Sequence, residues 1–156
     1  MLRERNLQNI IRSFPNLIDA RLKWMRRGRL GETNVCLDET NLKGWGGKID
    51  LAFVTEDTVY LVEVKLDVVD EGTFIQFARY EAALRDAYPS HEIRGFLVGT
   101  RCPNRKTLEK KLGGSARIIL FGQDIPAPNA IMRCKNCQAG VDCHGKSCPI
   151  CGKTLQ

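Results

Sequence analysis

Two apolar runs separated by three polar residues constrain this chain more than any other feature. Residues 48–54 and 58–66 are rich in Ile, Val, Leu, Phe and Tyr, and Thr55-Glu56-Asp57 between them has turn composition, which predicts a β-hairpin. Both strands are interrupted by charge. Asp50 appears as the first begins, in Gly47-Lys48-Ile49-Asp50-Leu51, and Glu63 and Lys65 fall inside the second, in Tyr60-Leu61-Val62-Glu63-Val64-Lys65-Leu66. Strand side chains alternate faces, so Glu63 and Lys65 point one way and Val62, Val64 and Leu66 the other. With Asp50 across the hairpin, three charges cluster in an otherwise apolar sheet, and desolvating them costs several kcal/mol without a compensating partner. A hard divalent cation such as Mg²⁺ is such a partner for two carboxylates, with the lysine beside it to act on water or balance a phosphate. Without Asp50, Glu63 and Lys65 would read as an ordinary surface ion pair on a half-buried strand.

Elements around the hairpin follow from periodicity. Leu2, Leu7, Ile10, Ile11 and Phe14 recur at helical spacing up to Pro15, predicting an amphipathic helix over residues 2–14. Residues 17–25 read as the start of an extended stretch, Arg26-Arg27-Gly28-Arg29 as a basic turn, and residues 33–41 as a weak strand before a loop with Gly44, Gly46 and Gly47. After Asp70-Glu71-Gly72, the series Phe74, Phe77, Ala78, Tyr80, Ala82, Leu84 and Ala87 predicts a helix ending near Tyr88-Pro89. Residues 93–99 and 116–121 read as buried strands with a charged helix over 104–112 between them. This order predicts an α/β fold, a mixed sheet with helices packed on it. Pro126-Ala127-Pro128-Asn129 reads as a stiff hinge, so the expected division is a domain over 1–125, a linker over 126–132 and a small module over 133–156.

That module carries five of the seven cysteines. Cys134-Lys135-Asn136-Cys137 and Cys148-Pro149-Ile150-Cys151 are Cys-x-x-Cys pairs ten residues apart, a spacing that gives four thiolates for tetrahedral zinc. About 25 residues with few apolar side chains need such a metal to fold. The arrangement resembles a zinc ribbon, with Cys143 a spare thiol, although Cys143 or His144 could replace one ligand. Paired cysteines without a secretory signal favour metal thiolates in a reducing cytoplasm over disulfides, and no run approaches the roughly 20 apolar residues of a membrane span.

The chain has 24 Lys and Arg against 18 Asp and Glu. Residues 1–30 are net +6, residues 31–130 net −3 and residues 131–156 net +3. Basic flanks suit a polyanion and an acidic middle suits a cation, though Arg-rich faces are also ordinary solvated surface.

Asp50 followed by Glu63-Val64-Lys65 resembles the motif of the PD-(D/E)XK, or restriction-endonuclease-like, nuclease superfamily. The similarity extends to the nuclease domain of NucS-like endonucleases. Glu4 and Leu7 precede Ser13-Phe14-Pro15-Asn16-Leu17-Ile18, similar to that family's first helix and the turn after it; Gly47-Lys48-Ile49-Asp50-Leu51 is similar to its Gly-Arg-Ile-Asp-Leu; and Gln76 and Tyr80 match its Gln-x-x-x-Tyr. The resemblance covers residues 4 to about 100. It implies a restriction-endonuclease-like mixed central sheet flanked by helices, with Asp50 and Glu63 as ligands of Mg²⁺ or Mn²⁺ and Lys65 as the catalytic lysine. It further implies Glu4 as a supporting acid acting through water or a second ion, and Gln76 and Tyr80 beside the scissile phosphate. Taken from their residue types alone, Gln76 is an ordinary surface position, Tyr80 a core aromatic, and Glu4 an acid favoured by the helix dipole. The family's separate amino-terminal DNA-binding domain has no counterpart ahead of Glu4, so mismatch recognition is not carried over.

The expected function is therefore a divalent-metal-dependent endonuclease acting on DNA, with the Zn²⁺ ribbon assisting DNA binding. A homodimer would be needed for duplex breaks, since one site cuts one strand. Two alternatives are a non-catalytic nucleic-acid binder that keeps the fold and an adaptor whose ribbon docks a protein. Clustered carboxylates near phosphates argue against the first, and the basic first 30 residues against the second.

Overall fold

The computed structural model describes residues 2–42 and 47–155; the expected loop glycines Gly44 and Gly46 lie outside them. Helix α1 (Glu4–Ser13) and a single 3-10 turn (Pro15–Leu17) lead into five strands and two helices: β1 (Val35–Leu42), β2 (Gly47–Val54), β3 (Thr58–Val64), α2 (Glu71–Ala87), β4 (Glu92–Gly99), α3 (Arg105–Leu112) and β5 (Ala116–Leu120). The strands form one sheet in the order β1-β2-β3-β4-β5. The first three pair antiparallel and the last three parallel, with α2 and α3 as the crossover connections. The protein is thus α/β, with a mixed central sheet flanked by helices.

Alternation along the strands builds two cores. Leu7 and Ile11 of α1 pack with Leu51, Phe53, Val62, Val64, Phe96 and Val98 on one face. On the other, Phe77, Tyr80 and Leu84 of α2 pack with Ala52, Val54, Val59, Leu61 and Leu97. Gly95 of β4 is required here, because the Phe77 ring occupies the space a Cβ would fill.

The extended stretch expected over 17–25 is instead the end of the 3-10 turn followed by irregular chain, and the basic segment expected as a turn lies alongside β1. Cys36 N–H donates to Arg26 O (2.8 Å) and Gly28 N–H to Cys36 O (3.0 Å). Gly28 allows this close approach, since a Cβ there would strike Val35, and Arg27 pairs with Asp38 of β1 at 2.7 Å.

Beyond a second 3-10 turn (Pro128–Ala130), β6 (Ile131–Arg133) and β7 (Gly140–Asp142) form a two-stranded ribbon. Its core is Cys134, Val141 and Cys148, with Met132 and Leu155 against them. The segment that reads as a hinge does not leave this module unattached. Asn16 Nδ2 donates to Gly140 O (2.8 Å), Gly140 N–H returns to Asn16 Oδ1 (2.9 Å), and Arg133 lies over the Phe14 ring at 4.7 Å. Among the described residues no helix is long and apolar enough to cross a membrane.

Candidate active site

β2 and β3 run as a regular ladder from Val54↔Val59 to Leu51↔Val62 and then part, β2 continuing along β1. The side chain of Asp50 enters the fork, where its Oδ2 accepts the Val64 N–H at 2.9 Å. A carboxylate thus takes the place of a ladder carbonyl where two strands separate. Glu63 points to the same face, 2% exposed, and Lys65 Nζ lies 3.9 Å from its Oε1. Glu63 Oε2 is buried without a hydrogen-bond partner among the described residues. One residue further, Leu66 N–H donates to Glu4 Oε2 at 3.2 Å, so the first turn of α1 adds an acid to the end of β3.

These carboxylates perturb one another. Burial first, and then the charges of Glu4 and Glu39, push Asp50 up to about 6. Burial, and then the charge of Asp50, push Glu63 up to about 8, with Lys65 opposing. Two buried carboxyls with raised pKa values, one with an oxygen lacking a partner among the described residues, are the donor set a hard divalent cation satisfies. Asp50 and Glu63 fit that ion. Glu4, whose charge is felt at both, does not close a three-ligand cage with them: groups of three or more ligand atoms mutually within 4.8 Å occur, among the described residues, only in the ribbon.

Lys65 is held from the other side by α2. Its Nζ donates to Gln76 Oε1 (3.3 Å), and Gln76 Nε2 donates to Tyr80 Oη (2.8 Å), the spacing of four placing both on one helix face. Tyr80 is also packed over β2, since a Cβ on Gly47 would lie 2.8 Å from its ring. Its phenol end belongs to the polar chain and its ring to the core. The six residues singled out around the hairpin therefore converge, Glu4 at its edge.

Three residues of this region, Asp38, Gln8 and Glu39, were not singled out from the sequence. Asp38, its side chain fully enclosed, receives Arg5 (3.1 Å), Arg12 (3.3 Å) and Arg27 (2.7 Å). Burial alone would raise it, but hydrogen bonds from Arg27 and Arg5 hold it below the ordinary carboxylate range. Gln8, 2% exposed, joins this hub to the site: its Nε2 lies 3.0 Å from Asp38 Oδ1, 3.1 Å from Glu39 Oε1 and 3.1 Å from Asp50 O. Glu39, on β1 opposite Asp50, has a left-handed backbone (φ 50°) and pairs with Lys48 at 3.2 Å. The signal that could have found Asp38 is the one that found Asp50, an acid inside an apolar strand.

In the ribbon, Cys134, Cys137, Cys148 and Cys151 gather their sulfurs within 4.8 Å of one another. Cys134 and Cys151 are 3.8 Å apart, and Cys137 and Cys148 3.6 Å. A tetrahedron with Zn–S bonds of ~2.3 Å has edges of about 3.8 Å, so the cage has the size of a zinc site. Backbone N–H groups face the sulfurs. That of Cys137 lowers Cys134, and those of Lys153 and the Asn136 side chain bring Cys151 down to about 6. Cys137 runs the other way, to about 12: the Ala139 N–H lowers it, but burial and the neighbouring sulfurs outweigh that bond. Cys143 and His144 lie outside the cage, on the exposed turn that follows Asp142, the last residue of β7.

Among solved structures, the chain is similar to the crystal structure of a repair endonuclease from Pyrococcus abyssi, with a TM-score of 0.55 and 22% identity. The match covers 78% of this chain and 47% of that one, so the chain spans about half the length of the protein it resembles. At this identity the likeness is one of fold. No protein-family profile and no curated protein sequence matches the chain.

Proposed function

We propose that the protein is a divalent-metal-dependent endonuclease that hydrolyses DNA phosphodiester bonds, built as a nuclease domain over 1–125 and a zinc ribbon over 133–156 that assists DNA binding. The observation that carries this reading is the meeting of Asp50, Glu63 and Lys65 where β2 and β3 part, with Glu63 Oε2 buried and unpaired among the described residues. Asp50 and Glu63 would hold Mg²⁺ or Mn²⁺, which when bound neutralises phosphate charge and acidifies a water. The remaining chemistry is the chain's own. Hydrolysis needs a water aligned opposite the leaving oxygen and positive charge where the phosphorus oxygens gain negative charge. Lys65, tethered by Gln76 but only partly buried, supplies that charge and orients the water. Tyr80 fixes Gln76, and Glu4 fixes the end of β3 through the Leu66 N–H. The fold of the Pyrococcus abyssi repair endonuclease supports this reading. Four cysteine sulfurs at zinc spacing support the ribbon.

The test is incubation of zinc-loaded protein with labelled circular and linear DNAs, with Mg²⁺, with Mn²⁺ and with neither. Lys65→Ala should slow cleavage by about a hundred- to a thousandfold with DNA affinity nearly intact, the scale of losing one aligned charge-stabilising group. Asp50→Ala should remove both cleavage and binding of the divalent ion. Undiminished cleavage by Lys65→Ala, or no cleavage of any DNA by the wild type, would overturn the reading.

A further inference from the structure

Residues 1–30 and 131–156 are the two basic segments of the chain, net +6 and net +3, and they are far apart in sequence. The fold docks them against each other through the Asn16–Gly140 hydrogen bonds and the Arg133–Phe14 contact. Along this seam runs a groove of about 370 Å³, with Pro15, Trp24 and Ile150 among its apolar walls and Lys23, Arg133 and Gln138 among its polar ones; no Asp or Glu lines it. Trp24 is 63% exposed, the most open large hydrophobic side chain among the described residues. Nearby Arg21 and Arg26 are neutralised by Asp19 and Glu32, but neither Lys23 nor Arg133 has a carboxylate partner among the described residues.

An exposed indole sharing a groove with two cations that have no carboxylate partner among the described residues, and with no described Asp or Glu in the lining, calls for a partner that is anionic and presents flat π-faces. From this we infer that the seam is a stacking site for an unpaired nucleotide strand. A duplex offers phosphates but keeps its base faces covered, so Trp24 gains nothing from it; a single strand offers both. The ribbon docks at the carboxy-terminal end of α1, whereas Glu4 at the amino-terminal end borders the carboxylate site, and ten residues of helix span about 15 Å. A strand bound at the seam therefore lies about one helix length from that site. This inference rests on the nuclease reading only for the assumption that nucleic acid is the ligand; it needs no cleavage.

The experiment is fluorescence anisotropy of a labelled oligothymidylate and of a labelled duplex of equal length, titrated with zinc-loaded full-length protein without added Mg²⁺ at several salt concentrations. Trp24→Ala should weaken oligothymidylate binding about tenfold, the scale of one base–aromatic stack, while duplex binding stays the same. Trp24→Phe should restore most of the loss, and Lys23→Glu should flatten the salt slope for the single strand. Because Trp24 is exposed, zinc content and melting temperature should match the wild type, confirming that the variant is folded. Trp24→Ala binding oligothymidylate within twofold of wild type overturns the inference. So does an equal loss for the duplex, which makes the groove a backbone contact, or an unchanged single-strand affinity accompanied by loss of a protein partner. A wild type that cuts no DNA yet binds oligothymidylate through Trp24 sinks the nuclease reading alone.

Discussion

The sheet and the ribbon both gather ionisable groups, and they treat them differently. At the fork between β2 and β3 the carboxyls of Asp50 and Glu63 are pushed up, to about 6 and about 8, because burial and mutual repulsion disfavour their charge. In the ribbon, two of the four cysteines, Cys134 and Cys151, are pulled down, Cys151 to about 6, because N–H groups of the turns aim at their sulfurs; the Ala139 N–H also lowers Cys137, but burial and the sulfurs around it push that thiol up. The sheet can hold an unfavourable cluster because it has two large apolar cores to stabilise it. The ribbon's core consists of one valine and two cysteines with a few partly buried neighbours, so its anions must be made favourable and joined by a metal. Metal at the fork is thus expected to serve chemistry, and metal in the ribbon structure.

Removing zinc should break this comparison most visibly. Elemental analysis of protein purified without added metal should find about one zinc per chain. Cys148→Ser should lose it and expose residues 131–155 to proteolysis, while the sheet keeps its cooperative melt. Zinc-folded peptides of this kind owe about 10–16 kcal/mol to their metal, far more than three buried residues can replace. A ribbon that resists protease equally well without zinc would show that its docking to Asn16 and Phe14, rather than metal, holds it.

Asp38 should separate the regions in the other direction. Its enclosed carboxylate gathers three arginines, and removing it leaves Arg12, which already carries a buried unpaired nitrogen, without an anion among the described residues. Breaking a buried pair costs about 3–5 kcal/mol, and the exposure of Arg5 and Arg27 puts Asp38→Ala near the lower end of that range. Urea unfolding should register this loss while zinc content is unchanged. A midpoint within error of the wild type would mean that the arginines find water instead.

Why Asp50, Glu63 and Lys65 were legible in the sequence while Asp38 was not is a matter of where each partner comes from. The hairpin supplies its own partners: alternation fixes the faces, a short turn fixes the register, and two interruptions at the right parity suffice. Cys-x-x-Cys pairs are equally local. Asp38 depends on Arg5, Arg12 and Arg27 from two separate segments, one of which reads as a turn but lies alongside β1. The Asn16–Gly140 bonds span 124 residues, and a polar pair has no periodicity to announce it. Glu4 was legible only through resemblance, since an acid in the first turn of a helix is already explained by the dipole.

The smallest expected effect concerns the sign of the strain at the fork. A buried carboxyl raised to about 8 binds a proton in the folded state across a range where the unfolded chain has released it. Between about pH 4 and 8 the native state therefore holds more protons than the unfolded state, and the free energy of unfolding falls as pH rises through that window. Asp50, raised to about 6, adds to the same slope over the lower part of it. Glu63→Gln keeps the shape and cannot ionise. In zinc-loaded protein without Mg²⁺ the variant should melt close to the wild type at pH 5 and several degrees above it at pH 8.5. Added Mg²⁺ should narrow the gap by stabilising only the wild type, because a cation at Asp50 and Glu63 favours the charged pair that burial opposes. The ribbon should show no such gain, because in the zinc-loaded protein its four sulfurs already share a cation. Equal melting temperatures for wild type and Glu63→Gln at both pH values would mean that water reaches Glu63 freely, and the contrast between a strained sheet site and a relaxed ribbon site would fall.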